Sequence, residues 1–124
     1  MRYLLSAFAL LLLAGCASQE SIIDPHGYDQ TGLASYYGAA HQGRRTASGE
    51  RFDQRALTAA HRRLPFGSQV LVTNLNNNRS VVVRITDRGP HTRSRLIDLS
   101  RAAAEQLGMV GAGTAKVRVQ DLVD

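Results

Sequence analysis

Val70-Leu71-Val72-Thr73-Asn74-Leu75-Asn76-Asn77-Asn78-Arg79-Ser80-Val81-Val82-Val83-Arg84-Ile85-Thr86-Asp87-Arg88-Gly89-Pro90 is the stretch that decides the architecture of this chain. Two β-branched runs flank three asparagines, and asparagine tolerates the positive φ of a tight turn, so the segment predicts a β-hairpin. In the second run Val81, Val83 and Ile85 share one face, while Val82, Arg84 and Thr86 share the other. Leu33–Tyr37, Arg95–Leu99 and Ala115–Val119 are further strand candidates. One helix is expected after them. Ser100 can cap it, Arg101–Leu107 carries its alanines and a leucine, and Gly108 can close it in a left-handed conformation. Ala103, Ala104 and Leu107 then share the face that packs on a sheet. Between the first strand and the hairpin, residues 39–55 are polar, contain glycine and lack periodicity. A loop of that length in a small domain is functional or disordered.

Upstream of the strands, the chain carries an address. Arg2, the apolar run Leu4–Leu13 and Leu13-Ala14-Gly15-Cys16 form a secretory signal with a cysteine at the cleavage position. This is the pattern of a lipoprotein signal: the thiol is acylated and the peptide is cut before Cys16. The apolar run is about half the roughly 20 residues that a membrane-spanning helix needs. Cys16 is the chain's single cysteine, so the mature protein is expected to hold no disulfide and to rest on packing alone. Residues 16–30 read as the lipidated cysteine and a flexible tether, and residues 31–124 as one domain. Ala17 stands where an aspartate would signal inner-membrane retention, so the expected location is the periplasmic face of the outer membrane.

The net charge is +5, and 14 of the 15 cationic residues are arginine. Guanidinium forks match carboxylates and phosphates, so either an acidic polymer or a merely solvated basic surface fits the charge. The export signal and the lack of any nucleic-acid motif argue against nucleic acid as the partner. Peptidoglycan and anionic lipid headgroups are the acidic surfaces of that compartment.

Three residues are candidates for chemistry. Asp87 follows an apolar strand and opens Asp87-Arg88-Gly89-Pro90, where a turn aspartate is the plain alternative to a functional one. Glu50 lies in Thr46-Ala47-Ser48-Gly49-Glu50, and His61 in Leu57-Thr58-Ala59-Ala60-His61. An exposed loop glutamate and a hydrogen-bonded core histidine are the corresponding structural readings. Two carboxylates and a histidine from separate segments suit acid/base work on a glycosidic bond. His26, His41, His61 and His91 have no short ligand spacing, which points away from zinc, and no cofactor is implied. Ser48 lies in no nucleophile elbow.

Taken in order, Gly32–Tyr37, Gly43–Asp53, Leu57–Gly67, Val70–Leu75, Asp87–Pro90 and Arg95–Ser100 with the alanine-rich helix resemble the rare lipoprotein A family of septal-ring, peptidoglycan-acting lipoproteins. The resemblance implies a six-stranded double-psi β-barrel, mainly β with one short helix and related to barwin-like domains and expansins. It also implies endolytic lytic transglycosylase activity on peptide-stripped glycan strands. Carried over residue by residue, the catalytic positions are Glu50, His61 and Asp87. Asp87 is expected to be the general acid and then base, Glu50 the stabiliser of oxocarbenium-like charge, and His61 the group that orients a carboxylate or binds sugar. Tyr37 and Arg88 are expected substrate contacts, as a stacking face and an anion or hydroxyl clamp. His41-Gln42, Thr86 and His91 depart from the family's pattern. No C-terminal glycan-binding domain is expected, and the protein is read as a monomer. A non-catalytic, expansin-like glycan binder and a structural lipoprotein are the rival readings.

Overall fold

Both runs around the asparagine turn are strands of one closed sheet. A computed structural model describes residues 20–122, so Cys16 and the signal segment lie outside the described residues. Among the described residues the elements are β1 (Asp29–Tyr36), β2 (Thr58–Ala60), β3 (Gln69–Asn74), β4 (Ser80–Asp87), β5 (Arg95–Leu99), α1 (Arg101–Gln106) and β6 (Ala115–Asp121), with a 3-10 turn at Ala39–His41. Around the barrel the order is β1-β5-β2-β4-β3-β6. β1 runs parallel to β5 and β2 parallel to β4, while the remaining neighbours are antiparallel. This is the six-stranded, mainly β architecture with one short helix that the family resemblance implied.

Alternation explains the closure. Val81, Val83 and Ile85 of β4 point inward, and Val82 between them is 39% exposed. Val72 stands opposite Val81 on one side and Val119 on the other, so the inward valines of three strands meet at one level. Leu64, Ile97, Leu99, Leu107 and Met109, none more than 1% exposed, complete the core. Fully burying such side chains stabilises the fold by roughly 1.5–3 kcal/mol each. A barrel of so few strands is filled by its own side chains. Ligands must therefore be met at its rim.

The hairpin turn follows the expectation, with Asn78 at φ 62°. Two of the asparagines around it also reach the helix. Nδ2 of Asn74 and Nδ2 of Asn77 both donate to the carbonyl of Leu107, at 2.9 and 3.0 Å. They thus satisfy a carbonyl left open at the end of α1. Ser100 Oγ caps the other end by accepting from the Ala103 N–H at 3.3 Å. Gly108 closes the helix at φ 67°, and a Cβ there would lie 2.7 Å from Arg79 Nη1. The backbone angle favours glycine, whereas the arginine end could swing aside.

Two expectations change. β2 is a strand where the sequence predicts none, because its three residues are all buried and show no alternation. The tether is also shorter than expected, since residues 20–28 are not a free linker and β1 begins at Asp29, ahead of the expected boundary at 31. The Ile23 N–H donates to the Arg63 carbonyl at 3.0 Å, and Arg63 Nε donates to the Ser21 carbonyl at 3.2 Å. Ile23 and Tyr28 pack on the core, and that burial binds the segment to the barrel.

Candidate active site

The long loop, residues 39–55, is docked rather than disordered. Phe52 anchors it at 4% exposure, and a bridge pairs Arg45 with Arg51. Inside that bridge, the Thr46 N–H and hydroxyl both donate to the Glu50 carbonyl, at 2.7 and 2.8 Å. The tip of the loop then lies on the end of β4, where the Ser48 N–H donates to the Thr86 carbonyl at 3.2 Å. Sequence-distant Glu50 and Asp87 are thereby brought to one loop–strand junction.

Asp87 ends β4 and is held at both oxygens. Oδ1 accepts from the Ala47 N–H at 2.8 Å and from the Arg88 N–H at 2.9 Å. Oδ2 accepts from the Tyr37 hydroxyl at 2.6 Å. Two amide donors leave Oδ1 no room for a proton, so a proton carried by this carboxyl group sits on Oδ2. Burial, and then the Asp87 carboxylate itself, push the Tyr37 phenol well above its usual range. It stays a neutral donor.

Glu50 is held differently. Arg84, three residues before Asp87 on β4, forks onto it with Nη1–Oε2 at 2.8 Å and Nη2–Oε1 at 2.9 Å. That bidentate bond keeps Glu50 below the usual carboxylate range, so it stays ionised. The sequence marks Arg84 only as an outward strand position. The cue that could have singled it out is an arginine on the strand that delivers Asp87.

His61 is 3% exposed, and its ring is fully engaged. Nδ1 accepts from the Arg63 and Leu64 N–H groups, each at 3.0 Å, which assigns the proton of the neutral ring to Nε2. Nε2 then donates to the Tyr28 hydroxyl oxygen at 2.7 Å. Burial, helped by Arg62, Arg88 and Arg63, lowers the ring's pKa to about 4. His61 meets Asp87 through the main chain: its N–H donates to the Asp87 carbonyl at 3.1 Å.

Tyr37 and Arg88 sit at the same rim. The Tyr37 ring stacks on His41 at 5.1 Å and meets the edge of Phe52 at 4.6 Å. Arg88 lies 3.9 Å over the Phe66 ring, and its Nη1 donates to the carbonyls of His61 and Leu64 at 3.1 and 2.7 Å. The family departures are structurally occupied too. Gln42 accepts from the Gln54 N–H at 2.7 Å, and Thr86 is buried beneath the loop tip. Asp98, inside the Arg95–Ser100 segment but not among the expected site residues, bonds Ser35 and pairs with Arg95 at 3.1 Å, close enough to Tyr37 to raise its pKa further.

Arranged this way, the site offers one carboxyl group whose Oδ2 meets the Tyr37 hydroxyl, one carboxylate held towards its ionised form by an arginine fork, and a neutral phenol between strand and loop. That set suits proton transfer to and from oxygen beside a centre that develops positive charge. Among the described residues, no group of three His, Cys, Asp or Glu side chains is placed to hold a metal ion.

Comparison with known proteins adds to this geometry. The profile of the lytic transglycolase family matches residues 29–119. The probable endolytic peptidoglycan transglycosylase RlpA of Nostoc sp. is 61% identical over 93 residues, covering 73% of this chain and 25% of the relative. The endolytic peptidoglycan transglycosylase RlpA of Pasteurella multocida is 53% identical over 94 residues, covering 76% of this chain and 32% of the relative. The chain therefore spans only about a quarter to a third of the length of these relatives. Among solved structures, the Streptomyces papain inhibitor superposes with a TM-score of 0.63 at 24% identity, over 79% of this chain and 97% of its own. A mutant Clavibacter michiganensis expansin in complex with cellohexaose gives 0.60 at 17% identity, over 78% of this chain and 52% of its own. At such identities the likeness concerns the fold alone.

Proposed function

The chain belongs to the lytic transglycolase family, in its rare lipoprotein A branch of double-psi β-barrels, and from that premise we propose that it cleaves peptidoglycan glycan strands. The bond is the β-1,4 link between N-acetylmuramic acid and N-acetylglucosamine, in strands stripped of stem peptides. Asp87 Oδ2 gives its proton to the glycosidic oxygen as the bond from C1 breaks. The muramic C6 hydroxyl then attacks C1, and Asp87 takes the proton that hydroxyl releases. The strand ends in a 1,6-anhydro ring, and no water is consumed.

Glu50, kept ionised by Arg84, faces the positive charge that develops at C1 and lowers the barrier electrostatically. The neutral Tyr37 hydroxyl holds Oδ2 through both halves of the cycle. His61 acts as a positioning residue, fixing the end of β4 through its main chain. The observation that carries this reading is the three-point grip on Asp87, which leaves one oxygen to do the proton work. A pure glycan binder has no use for such a grip.

In the cell, the protein would be tethered to the outer membrane by lipid on Cys16. There, as a monomer, it would remodel wall glycan during daughter-cell separation. One incubation tests the chemistry. Wild-type protein mixed with peptide-stripped strands should produce anhydromuramyl ends visible by mass spectrometry, and Asp87→Asn should produce none. Strands left intact by the wild type would end the enzymatic reading, and ends persisting in Asp87→Asn would remove Asp87 as the acid.

A further inference from the structure

Immediately past Asp87 the rim opens into a cavity of about 570 Å³, lined among others by Glu20, Ile22, Arg62, Arg88, His91 and Arg93. Three arginines line it, and they differ in how much each has left to give. Arg62 is built into the wall: Nη1 donates to the carbonyls of Pro90 and Arg95 at 3.0 and 2.9 Å. Its Nε meets the Glu20 carboxylate at 3.2 Å. Arg88 uses only Nη1 on protein carbonyls, which leaves Nε and Nη2 without a hydrogen-bond acceptor among the described residues. Arg93 is exposed and has no ion-pair partner among the described residues.

The one anion in this cavity comes from the segment that the sequence presents as tether. Glu20 precedes Ile23, whose docking on the barrel brings the carboxylate to Arg62. A lone carboxylate among three arginines leaves the cavity with unspent positive charge. Guanidinium forks prefer planar, two-oxygen anions, and a carboxylate is such a group.

We propose that the Arg62–Arg88–Arg93 cavity is a subsite for the free lactyl carboxylate of a muramic acid residue, and that Glu20 stands in for it when no glycan is bound. This rests on the glycan-cleaving reading above. A strand crossing Asp87 meets Arg88 next, so a muramic carboxylate within reach of the cavity displaces Glu20. It gains the donors of Arg88 and Arg93 that Glu20 leaves unused. A stem peptide on the lactyl group turns that carboxylate into a neutral amide and removes the anion the subsite reads. Discrimination for bare strands would then reside in the barrel itself.

Binding can be measured on the full chain in detergent, with Asp87→Asn in every sample so that nothing is consumed. The probes are a GlcNAc–MurNAc tetrasaccharide with free lactyl carboxylates and the same sugar with those groups converted to methylamides. The free acid should bind about fivefold more tightly than the amide, and added salt should erase the difference. Arg93→Gln, at an exposed position without a partner, should bind both forms alike. Glu20→Gln should tighten the acid about threefold and leave the amide unchanged. Equal binding of acid and amide, full discrimination in Arg93→Gln, or an unmoved Glu20→Gln overturns the inference. Cleavage by the wild type, scored in parallel, separates the two claims. Anhydro ends formed equally well from both probes keep the enzyme and remove the subsite, whereas discrimination without any anhydro ends does the reverse.

Discussion

The end of β4 and the loop spanning residues 39–55 each present one carboxylate to the rim, and they hold it by opposite means. Asp87 is fixed by the barrel: its strand is paired on both sides, two amides grip Oδ1, and the His61 N–H ties down its carbonyl. Glu50 is fixed by side chains, the Arg84 fork and a long 3.5 Å bond from the Ser48 hydroxyl, and is about half exposed. The first arrangement sets position by main chain and leaves one oxygen for the proton. The second sets charge and leaves position to an ion pair. A shuttling acid needs placement within a fraction of an ångström, whereas a charge stabiliser needs chiefly to stay charged.

Removing the proposed acid should have the largest effect. Asp87→Asn keeps the shape and the acceptor oxygen but can neither give nor take the proton. Cleavage should fall between about a hundredfold and ten-thousandfold, with folding unchanged. Anhydro-end formation per unit time measures it. A smaller loss than for any Glu50 variant would reverse the roles drawn from the two kinds of support.

Next in size is the histidine behind Asp87. With a folded pKa of about 4 against an ordinary 6.5, His61 refuses in the folded state a proton that the unfolded chain accepts. Its contribution is therefore fully present above pH 6.5 and is lost as pH falls towards 4. The slope is about 1.4 kcal/mol per pH unit inside that window. Urea unfolding at several pH values should show a steeper loss for the wild type than for His61→Gln. The variant begins less stable at pH 7 because two N–H groups lose their acceptor geometry. Parallel lines for the two proteins would mean that the ring titrates normally and is not clamped in its neutral form.

How much of this was legible depends on where each partner lies along the chain. β4 could be read because Val81, Val83 and Ile85 alternate with exposed positions, and the turn because three asparagines interrupt two β-branched runs. The cap, body and closing glycine of α1 are local signals and were visible for that reason. β2 was not, since a strand buried on all sides shows no alternation. Residues 20–28 hid behind Pro25 and Gly27, although Ile23 and Tyr28 were the apolar marks of a docked segment. At the site, the family's motifs picked out Glu50, His61 and Asp87, but not what grips them. Arg84 is 34 positions from Glu50, and the Ala47 amide is 40 from Asp87. Such pairings belong to barrel closure and leave no periodicity to detect.

Arg84 is the place to break Glu50's support alone. Arg84→Met should lower kcat on the order of tenfold, because Glu50 loses both its anchor and its bias towards ionisation. The pH profile carries the sharper sign. Arg84 holds Glu50 below the usual carboxylate range, so its loss should move the acid limb of the activity profile to higher pH. Arg84→Lys restores the charge without the fork and should fall between the two. An unshifted acid limb would separate Glu50 from the rate.

Tyr37 sits between the two carboxylate supports, and the smallest effect tells most about its role. As a stacking face for sugar it would need only its ring, so Tyr37→Phe would act like the wild type and Tyr37→Leu would raise KM. As the donor to Asp87 Oδ2 it needs the hydroxyl, so Tyr37→Phe should lower kcat about fivefold with KM unchanged. The structure favours the second outcome, because the ring already stacks on His41 and the hydroxyl lies 2.6 Å from Asp87. A KM change in Tyr37→Phe would return the residue to the sugar. A kcat change alone would place it with the barrel's grip on Asp87, through a bond far shorter than the 3.5 Å one that the Ser48 hydroxyl makes to Glu50.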